Sequence, residues 1–515
     1  MPCTTILVGK LASYDGSTII ARNEDSPNGV FTPKRFCTVD PTGRTEYRSV
    51  LGHLTVPLDE PQGVPYTAMP NVDLSEGLWE EAGFSRRNVC MSATETITTN
   101  ERVLGADPLV EYQPAQGTPG TEGYQPERPG GIGEEDMVTL VLPYMTSARD
   151  GVRRMGELLE RYGTYENNGI AFGDKDEIWW LETIGGHHWI ARRVPDDCYV
   201  TMPNQLGIDR FDLADALGDR REFMCSADLA DWMEANHLDL TLHGDGAPAS
   251  VFNPREAFGS HSDSDHVYNT PRAWAMQRAL NPHAPELADA VGTPAGTAAG
   301  RLTPESDDLP WARRPERKVT IEDVKYVLSL HYQGTPYDPY GPLGTPATRH
   351  LYRPIGINRN GQLAVLHTRG SEPEATCALQ WVSLGSNPFN ALVPFFANVS
   401  DVPAYLRDTT MRVSTDSLYW ADRLVAALAD GIYGEAVPEL ERYQQAVGAA
   451  AREVVLEAER RVTREGLDAD AARPVLEEAN ERIAAMVRER TDALLDKVLH
   501  LRSLRMANAY SRSDN

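Results

Sequence analysis

Cys3 stands where the first residues of a domain usually fray, an unusual place for a core side chain. If Met1-Pro2 is removed, the Cys3 thiol and a new α-amino group belong to one residue. Such an amine has an ordinary pKa of roughly 7.7 to 8.0, so near neutrality it can take the thiol's proton. One residue would then supply both nucleophile and base. The plainer reading is a small buried cysteine at a strand start, the commoner case for a lone Cys. The run Ile20-Ala21-Arg22-Asn23-Glu24-Asp25 shifts that balance. A thiolate needs nearby positive charge, and Arg22 carries one that never deprotonates. Asp25 could hold the α-amine in place, although Arg22 and Asp25 also suit a solvated ion pair at a strand end.

These residues must be brought together by the fold. Residues 4–8 and 18–20 are rich in β-branched side chains and flank the turn Tyr14-Asp15-Gly16-Ser17, which predicts a hairpin. Antiparallel pairing then sets Cys3 beside residues 22–25. Further strands are expected at 88–93, 170–172, 178–181, 188–192, 199–202, 362–367 and 377–383. A helix is expected over 136–162, with Gly163 as its stop. This mixed order favours an α+β layered domain over residues 1–400. Residues 113–131 and 282–317 are poor in core formers and read as long surface loops. Residues 401–515 read as a helical C-terminal region, with Pro474 suited to a first turn. Two apolar stripes there, one from Leu418 to Ile432 and one from Ile483 to Leu501, exceed what one core obviously needs. They must be buried either against the layered domain itself or between copies of the chain in a homo-oligomer.

The chain has 515 residues, with 49 basic against 75 acidic side chains and a formal charge of −26. Nucleic acid is a poor partner for such a surface, because duplex binding is driven by Lys and Arg releasing phosphate counterions. Hydrophobic residues at 41% and charged residues at 24% are globular values, so a packed core is expected. No apolar run approaches the roughly 18 residues of a membrane span, and the first ten residues show no basic leader. The six cysteines are scattered without a Cys-x-x-Cys pair, which excludes a zinc ribbon and fits reduced thiols in a cytoplasm.

Cys-Thr-Thr-Ile-Leu-Val-Gly-Lys from residue 3, Ala-Ser-Tyr-Asp-Gly-Ser from 12 and Ala-Arg-Asn-Glu-Asp-Ser from 21 resemble the N-terminal-nucleophile dipeptidases of the dipeptidase A type, to which the secernins are related. The likeness continues through Ser92-Ala93-Thr94-Glu95-Thr96, Leu142-Pro143-Tyr144, Trp180-Leu181-Glu182, Met202-Pro203-Asn204-Gln205, Tyr268-Asn269-Thr270-Pro271-Arg272 and Val393-Pro394-Phe395-Phe396. It implies a four-layer αββα sandwich, with Cys3 as mature N-terminus and nucleophile and no metal or organic cofactor. By similarity Arg22 and Asp25 flank the nucleophile, Asn204 serves the oxyanion hole, and Arg272 matches a second active-site Arg at a different spacing. A side-chain amide can donate to a developing oxyanion, although an Asn after Pro203 also suits a turn. Asn23, Thr94 and Glu95 are the expected substrate contacts. Thr94 and Glu95 follow a strand and could meet a dipeptide's charged ends, or simply face solvent.

Gly259-Ser260-His261-Ser262-Asp263-Ser264-Asp265-His266 is rich in ligand atoms, but no element presents them on one face, and a polar loop is the default. His187 and His188 alternate across a strand and should point to opposite faces. No Gly-x-Ser-x-Gly elbow or phosphate-binding Gly-rich loop is present. The expected activity is hydrolysis of dipeptides. An acylase on the same machinery and a secernin-like regulatory protein with an unreleased Cys3 are the alternatives.

Overall fold

The computed structural model describes residues 3–58, 63–242, 250–287 and 301–508. Met1-Pro2 and residues 288–300 of the second expected loop lie outside the described residues. Thirteen strands form the two main sheets: β1 (Cys3–Val8), β2 (Thr18–Asp25), β3 (Ala82–Phe84), β4 (Cys90–Thr96), β5 (Asn168–Gly173), β6 (Ile178–Ile184), β7 (His188–Arg193), β8 (Tyr199–Met202), β9 (Phe223–Cys225), β10 (Ala312–Arg313), β11 (Asn360–Thr368), β12 (Ala378–Leu384) and β13 (Val393–Phe396). One sheet has seven strands in the order β10-β8-β1-β2-β11-β12-β13, and the other six in the order β9-β7-β6-β5-β4-β3.

The expected hairpin is β1-β2, and its register fixes the site. Cys3 pairs Glu24 and Thr5 pairs Arg22, so these four side chains share one face. Both strands are buried at every position because β8 and β11 flank them and both faces of the sheet are covered. That face of the seven-stranded sheet meets the six-stranded one. The approach is close enough that a Cβ on Gly173 of β5 would lie 2.8 Å from Cδ1 of Ile20. Ile6, Val8, Ile20, Phe84, Cys90, Ala171 and Trp180 belong to one core.

The opposite face of the six-stranded sheet carries Met91, Ala93, Ile170, Phe172, Trp179 and Leu181, packed with the apolar faces of α1 (Glu134–Val141) and α2 (Ala148–Tyr162). One helix over 136–162 was expected. Pro143 lacks a backbone N–H and cannot continue the first helix, and Ser147 caps the second by accepting from the amide of Asp150 at 3.1 Å. Gly163 ends it with φ +69°, as the sequence indicates.

The C-terminal region is helical, comprising α4 (Leu418–Ala429), α5 (Tyr433–Glu465) and α6 (Ala469–Ser503) after the earlier α3 (Thr270–Leu280), which packs on β8. Pro474 sits in the second turn of α6 rather than the first. The apolar stripes are spent within the chain. Leu418, Val425, Ile432, Ile483, Val487, Leu494 and Val498 all join the main core. Asn480 of α6 closes the edge strand β13, accepting from the N–H of Phe396 at 2.9 Å and donating to its carbonyl at 3.0 Å. The result is a mixed α/β architecture, and among the described residues no helix is long and apolar enough to cross a membrane.

Candidate active site

The register of β1 and β2 places the guanidinium of Arg22 against the thiol of Cys3. Nη1 donates to Sγ at 2.9 Å. Arg22 is itself held on every side. Nε donates to Ser92 Oγ at 3.1 Å, Nη2 donates to the Ala93 carbonyl at 2.8 Å, and the Thr94 carbonyl and the Glu81 carboxylate take the remaining donors. Lys34 donates to Glu81 from behind at 2.7 Å and lies 3.7 Å from Glu24. Burial pushes the Cys3 thiol well above its ordinary value; Arg22 pulls it down, and the carboxylates of Glu95 and Glu134 push it up.

The backbone of Cys3 is gripped from the other side. Its N–H donates to Asn204 Oδ1 at 3.2 Å. Asn204 reaches it because β8 pairs with β1 and the chain turns at Pro203 just beyond. Its Nδ2 donates to the Thr96 carbonyl at 2.9 Å. Arg272, in the first turn of α3, donates to Asn204 Oδ1 at 2.8 Å, to Thr4 Oγ1 at 2.7 Å and to the carbonyl of Cys3. Asn269 holds Arg272 at 2.8 Å, and Asp265 in turn accepts from Asn269, from Ser260 Oγ at 2.8 Å and from Ser262 Oγ at 2.9 Å. The polar 259–266 loop thus braces Arg272. Among the described residues no group of three or more His, Cys, Asp or Glu is placed to hold a metal.

The profile of Peptidase family C69 matches residues 2–446. The chain belongs to Peptidase family C69. A protein named dipeptidase from Bifidobacterium longum is 56% identical over 100% of both chains. A probable dipeptidase A from Streptococcus pyogenes serotype M3 is 49% identical, again over 100% of both. Among solved structures, penicillin V acylase from Agrobacterium tumefaciens covers 76% of this chain and 86% of its own, with 12% identity and a TM-score of 0.28. That likeness is too distant to transfer fold or chemistry.

In this C69 peptidase the remaining expected site residues divide. Glu95 lies on the Cys3 side: its Oε2 accepts from Thr5 Oγ1 at 2.7 Å, two residues along β1 from Cys3. Its Oε1 and the Thr94 hydroxyl are buried without a hydrogen-bond partner. Burial pushes Glu95 up to about 8 against the pull of Arg272 and of its Thr5 hydrogen bond. Asp25 does not hold the Cys3 nitrogen. Alternation along β2 turns it to the other face, where Arg353 and Asn360 take its carboxylate. Asn23 shares that face and is not beside the thiol. Its amide donates to the Leu328 carbonyl at 2.8 Å and accepts from Asn387 at 2.6 Å. His187 and His188 do not diverge, because Asp107 gathers both Nδ1 atoms at 2.9 and 2.8 Å.

Several groups around Cys3 were not singled out from sequence. Ser92 and Asn269 lay inside quoted motifs, and Glu134 opens an acidic first turn, Glu134-Glu135-Asp136, which suits a helix N-terminus. Lys34, Glu81 and Arg353 carry no local sequence signal.

Proposed function

We propose that this chain is a cysteine dipeptidase whose nucleophile is Cys3, freed as an N-terminus by removal of Met1-Pro2. The observation that carries the reading is the 2.9 Å contact between Arg22 Nη1 and Cys3 Sγ in a member of a peptidase family. The names of relatives at 49–56% identity supply the substrate class. The pairing of two packed sheets with outer helices supports the four-layer αββα sandwich of N-terminal-nucleophile hydrolases. Six free cysteines, Cys198 alone of them partly exposed, support a cytoplasmic setting.

In this mechanism the free α-amine of Cys3 takes the thiol proton, and Sγ attacks the scissile carbonyl carbon. The carbonyl π-electrons move to oxygen, and the oxyanion is stabilised by the side-chain amide of Asn204. The C–N bond then breaks. The leaving amine takes the proton from the α-ammonium, and a thioester remains. Water, deprotonated by the same amine, adds to the thioester carbon and releases the N-terminal amino acid with the thiol restored. Arg22 stabilises the thiolate, and Arg272 fixes the Cys3 backbone and Asn204. Asp25 acts at one remove, by orienting Arg353 and Asn360.

The test combines intact mass, N-terminal sequencing and a dipeptide panel. Active protein is expected to begin at Cys3. Cys3→Ala is expected to fold and to lose turnover completely, since a small residue at the strand start removes little packing. Full activity in protein that retains Met1 or Pro2, or in Cys3→Ala, would overturn the reading.

A further inference from the structure

We propose that Glu95 and Glu134 form an anchor for the free α-ammonium of the substrate's N-terminal residue. The site then selects amides that carry such an ammonium beside the scissile carbonyl. This rests on the cysteine dipeptidase reading above and specifies what its site recognises.

The geometry follows from the strand face. Cys3, Thr5 and Arg22 lie on the face of β1-β2 that looks toward β4. Glu95, near the end of β4, binds Thr5 through Oε2 only, leaving Oε1 buried and unpartnered, with the unpartnered Thr94 hydroxyl next to it in sequence. A buried acceptor without a donor is expensive and marks a place where a ligand's donor fits. Glu134 approaches the same spot from the start of α1. It is 3.5 Å from Arg22 Nη1, the atom that also contacts Sγ, and it accepts from the amide of Thr94 at 3.3 Å. Both carboxylates are therefore close to the nucleophile.

In a dipeptide the ammonium nitrogen is two bonds from the carbonyl carbon under attack, about 2.5 Å away. Carboxylates placed around the thiol are then correctly placed for that nitrogen. An endopeptide or a simple acylated amine has no charge there. The anchor has a second consequence for the nucleophile. Glu95 and Glu134 disfavour the thiolate, whereas Arg22 favours it. Glu95 itself sits among Arg272, Arg22 and Arg353, yet burial still holds it up to about 8. An arriving ammonium supplies the missing counter-charge. It favours ionised Glu95, with the carboxyl proton lost to solvent, and offsets the repulsion that Glu134 exerts on the thiolate.

The test uses mature enzyme, an alanyl dipeptide and its N-acetylated form. Wild type is expected to favour the free dipeptide by at least about 100-fold in kcat/KM. Glu95→Gln should lower kcat/KM for the free dipeptide by about 10- to 100-fold, mostly through KM, and so shrink its advantage over the acetylated form. The same variant should alkylate faster with iodoacetamide at pH 8, because a carboxylate opposing the thiolate is gone. Lower turnover with a more reactive thiol is a combination that general loosening does not produce. Equal turnover of free and acetylated dipeptides by wild type would overturn the inference while leaving the dipeptidase reading intact, whether or not Glu95→Gln folds. Slower alkylation in a folded Glu95→Gln would also overturn it. A wild-type protein that hydrolyses neither peptide would overturn the dipeptidase reading and this inference with it.

Discussion

Arg22→Lys separates charge from geometry at the Cys3 thiol. Lysine keeps the positive charge but has one ammonium where arginine has a fork, and that fork now serves Sγ, Ser92 Oγ, the Ala93 and Thr94 carbonyls and Glu81. An ammonium drawn to Glu81 leaves Ser92 Oγ and the Ala93 and Thr94 carbonyls buried without that donor. At about 1–3 kcal/mol for each unsatisfied group the loss of stability is roughly 3–9 kcal/mol. Lys34 still pairs Glu81 at 2.7 Å, so the carboxylate is not stranded and the variant is expected to fold. Losing a charge-assisted hydrogen bond at Sγ is worth about 1.5–3 kcal/mol, which raises the thiol by one to two pKa units. A higher thiol pKa means less thiolate at any pH below it. Alkylation by iodoacetamide at fixed neutral pH should therefore slow by about 10- to 100-fold, with the pH profile displaced upward. Dipeptide turnover should fall with it. An alkylation profile that superimposes on wild type while turnover drops would show that Arg22 does not act on the thiol, and the assignment would fail.

Glu24 is buried with neither carboxylate oxygen hydrogen-bonded, and burial raises it to about 8 despite Lys34. Because this exceeds its unfolded value of about 4.3, its stabilising contribution is full below that value and is lost as pH rises toward 8. Glu24→Gln is expected to flatten the fall in thermal midpoint between pH 5 and 8, and an unchanged slope would assign that fall to other groups. Asp265→Ala removes the acceptor that holds Asn269 and, through it, Arg272. It should lower kcat/KM by about tenfold and also lower the thermal midpoint, because Asp265 is buried and its partners lose their acceptor while Arg272 keeps its contacts to Thr4 and Asn204; unchanged kinetics would show that the brace is dispensable.

What could be read from the sequence was what depends on local order. The β1-β2 hairpin announces itself through its turn and its β-branched flanks, and with it the meeting of Cys3 and Arg22. The same alternation that puts Arg22 beside the thiol turns Asn23 and Asp25 away from it. A run of adjacent polar residues on one strand therefore cannot all serve one site, and motif membership alone assigned them together. The helix over 136–162 was overextended because apolar spacing persists across Pro143 while the backbone cannot. Long-range partners were the least legible. Glu81 meets Arg22 and Lys34 meets Glu81 from separate segments, and Arg353 comes from more than three hundred residues further along to take Asp25. No spacing rule links them, since only burial makes such pairing obligatory: a charge removed from water must find a partner wherever the fold supplies one. The surroundings of Cys3 thus include distant residues that hold Arg22 in place as well as the motif that carries both. A variant at Lys34 or Glu81 should consequently perturb thiol reactivity even though neither residue contacts Cys3.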